Sequence, residues 1–193
     1  MPGGDDLPVH AFATQEDFEA WLEAEHDSAP GLWIRIAKVG SGIPSVTAPQ
    51  AIESCLCFGW IDGKRIAGDD ATFLQRYTPR RARSRWSKIN RKRAEELIEE
   101  GRMRPSGLAE IRRAQDDGRW DAAYDSPSNI TVPDDLRRAL DAEPTAAAEF
   151  ETLNATNRYA ILYRVQDAKR PETRARRIEN FVAMLARGER PYP

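Results

Sequence analysis

The chain has 193 residues, of which 40% are hydrophobic and 31% charged, and its formal net charge is -2. These values exclude a disordered chain and allow one full core, or a main domain with a smaller companion. Two cysteines exclude a disulfide framework, and no apolar run approaches the roughly 18 residues of a membrane span, so no membrane insertion is expected.

Residues 1–13 read as a flexible N-terminus. MPGGDDLP carries acids where an export signal needs a basic and then an apolar stretch, so a cytoplasmic location is expected. Thr14-Gln15-Glu16-Asp17 has the pattern of a helix-capping box with Asp in place of Glu or Gln, and Phe18, Trp21 and Leu22 follow at i, i+3, i+4. Pro30-Gly31 breaks the chain ahead of a strand at Gly31–Lys38, in which Leu32, Ile34 and Ile36 face one way and Trp33, Arg35 and Ala37 the other. Thr47–Gln50 is a second capping box, opening a helix that Gly59 ends. Trp60-Ile61-Asp62-Gly63 reads as a turn before two short strands, Lys64–Ala67 and Thr72–Thr78, joined at Gly68-Asp69-Asp70.

Ser84 or Ser87 then starts a charged helix to about Glu100, with Ile89, Leu97 and Ile98 as its apolar positions. Pro105 opens another helix that ends at Gly118. Residues 119–132 show no period and read as a linker. From there the pattern is purely helical, over Pro133–Ala142, Pro144–Leu153, Thr156–Ala168 and Pro171–Arg187. The expected architecture is α+β: a small mixed body of helices and strands over 14–118, followed by a C-terminal α-helical bundle module over 133–193.

The most informative stretch is Arg76–Arg93, RYTPRRARSRWSKINRKR, with nine Lys or Arg and no acid. It lies between segments 1–62 and 94–155, each with a net charge of -8, so a local positive field that gathers an anion is expected. Arg91 and Arg93 have Glu95, Glu96 and Glu99 at helical spacing and read as paired surface charge. Arg76–Arg85 has no such neighbours. Tyr77 and Trp86 among these cations suit the stacking of single-stranded nucleic acid, and equally the holding of a small phosphorylated or carboxylated molecule. The bland alternative is aromatic core with arginines extending past it to water.

Glu53 and Asp62 lie in the segment Glu53–Gly63, the best candidate for a polar site ahead of this run. Asp62 before Gly63 reads either as a turn residue or, with Glu53, as an organiser of Lys38 and the arginines. Cys57 lies toward a helix C-terminus, where the helix dipole opposes a thiolate, so a buried structural role is favoured over a nucleophile. His10, His26 and the two cysteines make no metal pattern, and the phosphate-loop, dinucleotide-binding, serine-hydrolase and zinc-protease motifs are missing, so neither a metal nor a cofactor is expected.

In ESCLCFGWIDG (53–63), QRYTPRRARSRWSKIN (75–90), EGRMRPSG (100–107), DGRWDAAY (117–124) and RARRIENFVAMLARGERPYP (174–193), the chain resembles the bacterial family of bacteriocin-protection, YdeI/OmpD-associated proteins. The positions that carry the likeness include Lys38, Glu53, Cys57, Gly59, Trp60, Asp62, Arg76, Pro79, Arg80, Ser84, Trp86, Ser87 and Asn90. The resemblance implies a bacterial protein linked to survival of antimicrobial peptides and envelope stress, and it carries over no catalytic residue. The candidate binding set is Lys38, Glu53, Trp60, Asp62, Arg76, Arg80, Arg85, Trp86, Ser87 and Asn90. A small anionic ligand is the first expectation for it and nucleic acid the second. An enzyme on a small anion, with Asp62 or Glu53 as general base, and a protein partner docking on the C-terminal helices are the remaining alternatives.

Overall fold

The structure, a computed structural model, describes residues 6–127 and 129–193. The part of the expected flexible lead that covers residues 1–5 lies outside them. The chain forms two units. The first runs to Trp86 and resumes over Asn90–Ala122; the second comprises Ser87–Ile89 and Ala123–Pro193. The fold class is α+β, with the strands N-terminal and helices alone at the C-terminal end.

In the first unit the elements are β1 (Val9–His10), α1 (Gln15–Glu25), β2 (Leu32–Ala37), α2 (Ala48–Cys57), β3 (Trp60–Ala67) and β4 (Thr72–Pro79). Most of α3 (Lys88–Glu99) and all of α4 (Pro105–Asp116) complete it. Both capping boxes form. Thr14 Oγ1 accepts from the Asp17 N–H at 3.2 Å while the Asp17 carboxylate accepts from the Thr14 N–H at 3.1 Å, so the shorter Asp closes the box that Glu usually closes. Thr47 and Gln50 do the same for α2.

The four strands lie in the order β1-β2-β4-β3, parallel between β1 and β2 and antiparallel elsewhere. Val9–His10 is thus paired strand where the composition suggested only a lead. The first core gathers Phe18 and Leu22 of α1, Leu32, Ile34 and Ile36 of β2 and Leu56 of α2. Trp33 is also buried, so the central strand β2 is covered on both faces over its first half.

Two expectations need correction. Trp60–Gly63 is not a turn: Trp60, Ile61 and Asp62 pair with Pro79, Thr78 and Tyr77, and the irregularity falls after Asp62 as a bulge before Arg65. The β-forming Trp60 and Ile61 extend the strand, and Gly63 fits the bulge because any Cβ there would lie 3.2 Å from the Arg76 guanidinium. In α3, Ile89 and Ile98 face solvent, while Ala94 and Leu97 are its buried positions.

The second unit holds α5 (Asp134–Asp141), α6 (Pro144–Thr152), α7 (Ala155–Gln166) and α8 (Pro171–Ala186). Leu136, Leu140, Phe150, Ile161, Val165 and Leu185 anchor its core. Ser87 bridges to Tyr124, and the Lys88 N–H donates to the Tyr124 carbonyl at 2.9 Å. In the stretch that shows no period, 119–132, Trp120, Ala123 and Ser126 are nonetheless buried.

Candidate functional site

The basic run leaves the sheet with β4 and divides into parts with different roles. Arg76 sits opposite Trp33 on β2, its guanidinium 6.0 Å from the indole ring. Arg80 follows the strand and is buried. Its guanidinium lies 3.6 Å from the Trp86 ring centre and donates to the Arg85 carbonyl at 3.1 Å, and its N–H donates to the Gly59 carbonyl at 3.0 Å. Gly59 ends α2 at φ 76°, a conformation that favours glycine.

Trp86 is 1% exposed and meets Trp120 edge-on at 4.8 Å. Arg119 donates to the Ser84 carbonyl at 2.7 Å, and Ser84 accepts from the Arg81 N–H at 2.9 Å. A desolvated cation over an indole is worth about 2 kcal/mol. Arg80, Trp86, Arg119 and Trp120 therefore brace the segment 80–86 from beneath, and Arg81 and Arg83 project from it into solvent. Neither of those two has an ion-pair partner among the described residues. Arg85 is half-buried in the same segment.

The rest of the run is matched with acids. Lys88 reaches Asp125 at 2.7 Å, Arg91 reaches Glu95 at 3.8 Å and Lys92 reaches Glu96 at 3.9 Å. Arg93 meets Glu53 at 2.8 Å, Glu96 at 2.9 Å and Glu100 at 2.8 Å. Glu53 also accepts from Arg102 at 3.1 Å, and Arg102 continues to Glu19 at 3.2 Å. Burial alone would raise the Glu53 pKa, but the hydrogen bonds from Arg93 and Arg102 outweigh it and hold the carboxyl below its ordinary range. Glu53 thus belongs with the far end of the run, locking α2 to α3 and to the segment that follows it.

Asp62 has different surroundings. It pairs across the sheet with Tyr77, whose buried hydroxyl has no hydrogen-bond partner among the described residues. Burial raises the Asp62 pKa, against weaker opposing effects of a hydrogen bond from its own backbone N–H and of the Arg80 charge. Of the two carboxylates considered as a general base, Asp62 alone has the raised pKa that such a role uses. Its reading as a turn residue does not hold, since it lies in β3.

Lys38 is not near this group. Its amine donates to the Asp69 carbonyl at 2.9 Å, beside the turn that joins β3 to β4. The register Ala37↔Thr72 and Asp62↔Tyr77 puts the two ends about 17 Å apart along β4. Trp60 is 1% exposed with its indole N–H on the His26 carbonyl at 3.2 Å, and Trp86 is covered by Arg80 and Trp120. Neither indole has a face open to a base or a ring, so the aromatics of these motifs are core. Ser87 is half-buried at the Tyr124 bridge, and Asn90 is half-buried on α3. Cys57 is buried, and its thiol is pushed up to about 11 by that burial, which fits a structural cysteine. No cluster of metal-binding side chains occurs among the described residues.

Sequence reading missed Arg119 and Trp120 as parts of the brace, and Arg102 and Glu19 as parts of the Glu53 network. The string DGRWDAAY marked the first pair as unusual. Nothing local marks the second, because their partners lie 49 and 83 residues away in the chain.

Among family models, that described as Domain of unknown function (DUF8412) matches residues 10–110. The model described as Bacteriocin-protection, YdeI or OmpD-Associated matches residues 129–188. The resemblance read from the motifs therefore holds in the C-terminal region, while the motifs at 53–63, 75–90 and 100–107 fall within the other family. No curated protein and no solved structure matches the chain.

Proposed function

We infer a binding function for a chain that belongs, through residues 10–110, to the DUF8412 family and carries a bacteriocin-protection, YdeI or OmpD-associated region over residues 129–188. That C-terminal match points to a bacteriocin-protection-related function. Within it, the α+β unit acts in the cytoplasm and recruits a small anionic ligand to the arginine segment 80–86. Arg81, Arg83 and Arg85 are the contacting residues, and Arg80 and Trp86 hold them in place from the core.

One observation carries this reading. A cation is buried and stacked beneath a loop whose two most exposed arginines have no acid to neutralise them. Guanidinium groups so placed bind phosphate or carboxylate oxygens with paired N–H donors. Nucleic acid is the second reading, favoured by the exposure of Arg81 and Arg83, since a backbone phosphate needs no enclosing pocket.

The test is thermal denaturation of the full chain with inorganic phosphate or pyrophosphate, beside anisotropy titrations with a labelled single-stranded oligonucleotide at two salt concentrations. Ligand at 100 times its Kd stabilises a protein by about 2.7 kcal/mol. The expected result is stabilisation by the small anions that Arg81→Ala/Arg83→Ala abolishes and Lys92→Ala leaves intact. Salt-sensitive oligonucleotide binding with the same dependence, and no small-anion effect, moves nucleic acid to first place. Loss of neither signal in the double variant sinks the assignment to this loop.

A further inference from the structure

The second unit contains a groove of about 910 Å³ between α5 and α8, large enough for several side chains of a partner. Its floor is made by Ala139, Ile178, Val182 and Ala186, with Ala175 and Ala183 at the exposed edge. On α8 these positions recur at i, i+3, i+7, i+8 and i+11 from Ala175, so one apolar stripe runs along most of the helix. The alanines keep the floor low and let another backbone approach closely.

Four charged residues lie along the groove. Asp135 and Arg174 neutralise each other through two bonds of 2.5 and 2.8 Å. Glu143 and Glu179 remain, and neither has an ion-pair partner among the described residues. Glu143 stands at the N-cap of α6 and makes no side-chain capping bond there. The uncompensated charge of the rim is therefore negative.

We propose that this groove docks a cationic amphipathic helix from a peptide or protein partner. Apolar anchors at i, i+3 or i+4, and i+7 would lie along the alanine floor, with Lys or Arg on the flanks against Glu143 and Glu179. The 16 residues of α8 extend about 24 Å, which sets the docked segment at roughly four helical turns. A second copy of this chain laid α8 against α8 brings Glu179 toward an equally acidic rim, so charge disfavours that occupant.

The experiment uses the full chain and a labelled 18-residue Leu/Lys helix with all lysines on one face. Its Lys→Glu counterpart and a scrambled Leu/Lys peptide are the comparisons. The amphipathic cationic helix is expected to bind, and its affinity to fall about tenfold or more in Glu143→Lys/Glu179→Lys and in Ala183→Trp. The charge-reversed protein should gain binding of the Glu counterpart. Both variants alter exposed or half-buried rim positions, and unchanged thermal unfolding verifies that they fold. Three results overturn the proposal: equal binding of the scrambled peptide, undiminished binding to both variants, or self-association of the parent chain that Ala183→Trp abolishes.

Discussion

Arg80 shows how a sequence can advertise a charge and conceal its use. The run Arg76–Arg93 reads as a solvated positive patch, yet Arg80 is core, held by a carbonyl five residues on and by the Trp86 ring. The charge pattern was legible. The burial was not, since the covering residue Trp120 lies in a stretch without periodicity. Glu53 is the opposite case: it reads as a site organiser, and its two guanidinium partners make it a structural lock. Its folded-state pKa is lowered, so the stability it contributes is present above the ordinary Glu pKa and lost as pH falls through the folded value. Glu53→Gln should lower unfolding stability by about 1–3 kcal/mol at pH 7. That deficit should narrow as pH falls below about 4. Denaturant titrations at pH 7 and pH 3 check this, and a deficit equal at both pH values refutes the ionic origin.

At the scale of elements, the helices were the most readable feature. The capping boxes at Thr14 and Thr47, and prolines at the first turns of α4, α6 and α8, gave starts that the structure reproduces. Strands were less readable. β1 is two residues long and exists because β2 offers a free edge, and β3 begins in residues whose Asp-Gly pair resembles a turn. The packing of α4 on α2 was also out of reach of sequence patterns. A Cβ on Gly107 would sit 2.3 Å from the Cys57 carbonyl oxygen and 2.8 Å from that of Leu56, both fixed backbone atoms. Helix propensity alone predicts that Gly107→Ala stabilises by up to about 1 kcal/mol. The backbone clash should win and destabilise by about 3 kcal/mol. The sign of the change in unfolding midpoint decides between the two effects.

For the molecule as a whole, the chain passes from one unit to the other at 86/87, returns at 89/90 and leaves again at 122/123. Residues 87–89 are thus the second unit's own, set apart from its helices by more than thirty residues of the first. Asp125 secures them: it takes the Lys88 amine at 2.7 Å and the Gln166 amide, and its carbonyl accepts from the Tyr159 hydroxyl at 3.2 Å. Asp125→Ala should therefore weaken hydrogen-exchange protection in α7 while β2 and β4 keep theirs. Equal loss in both units, or no loss, contradicts this placement.

The same connectivity bears on how such a module is inherited. A gene segment beginning at residue 129, where the family match starts, encodes four helices without Asp125, Tyr124 or residues 87–89. Transplanted onto another carrier, it arrives without two of its own fastenings. Recombination within 119–132, the place that looks safest to cut, would therefore separate parts that fold together.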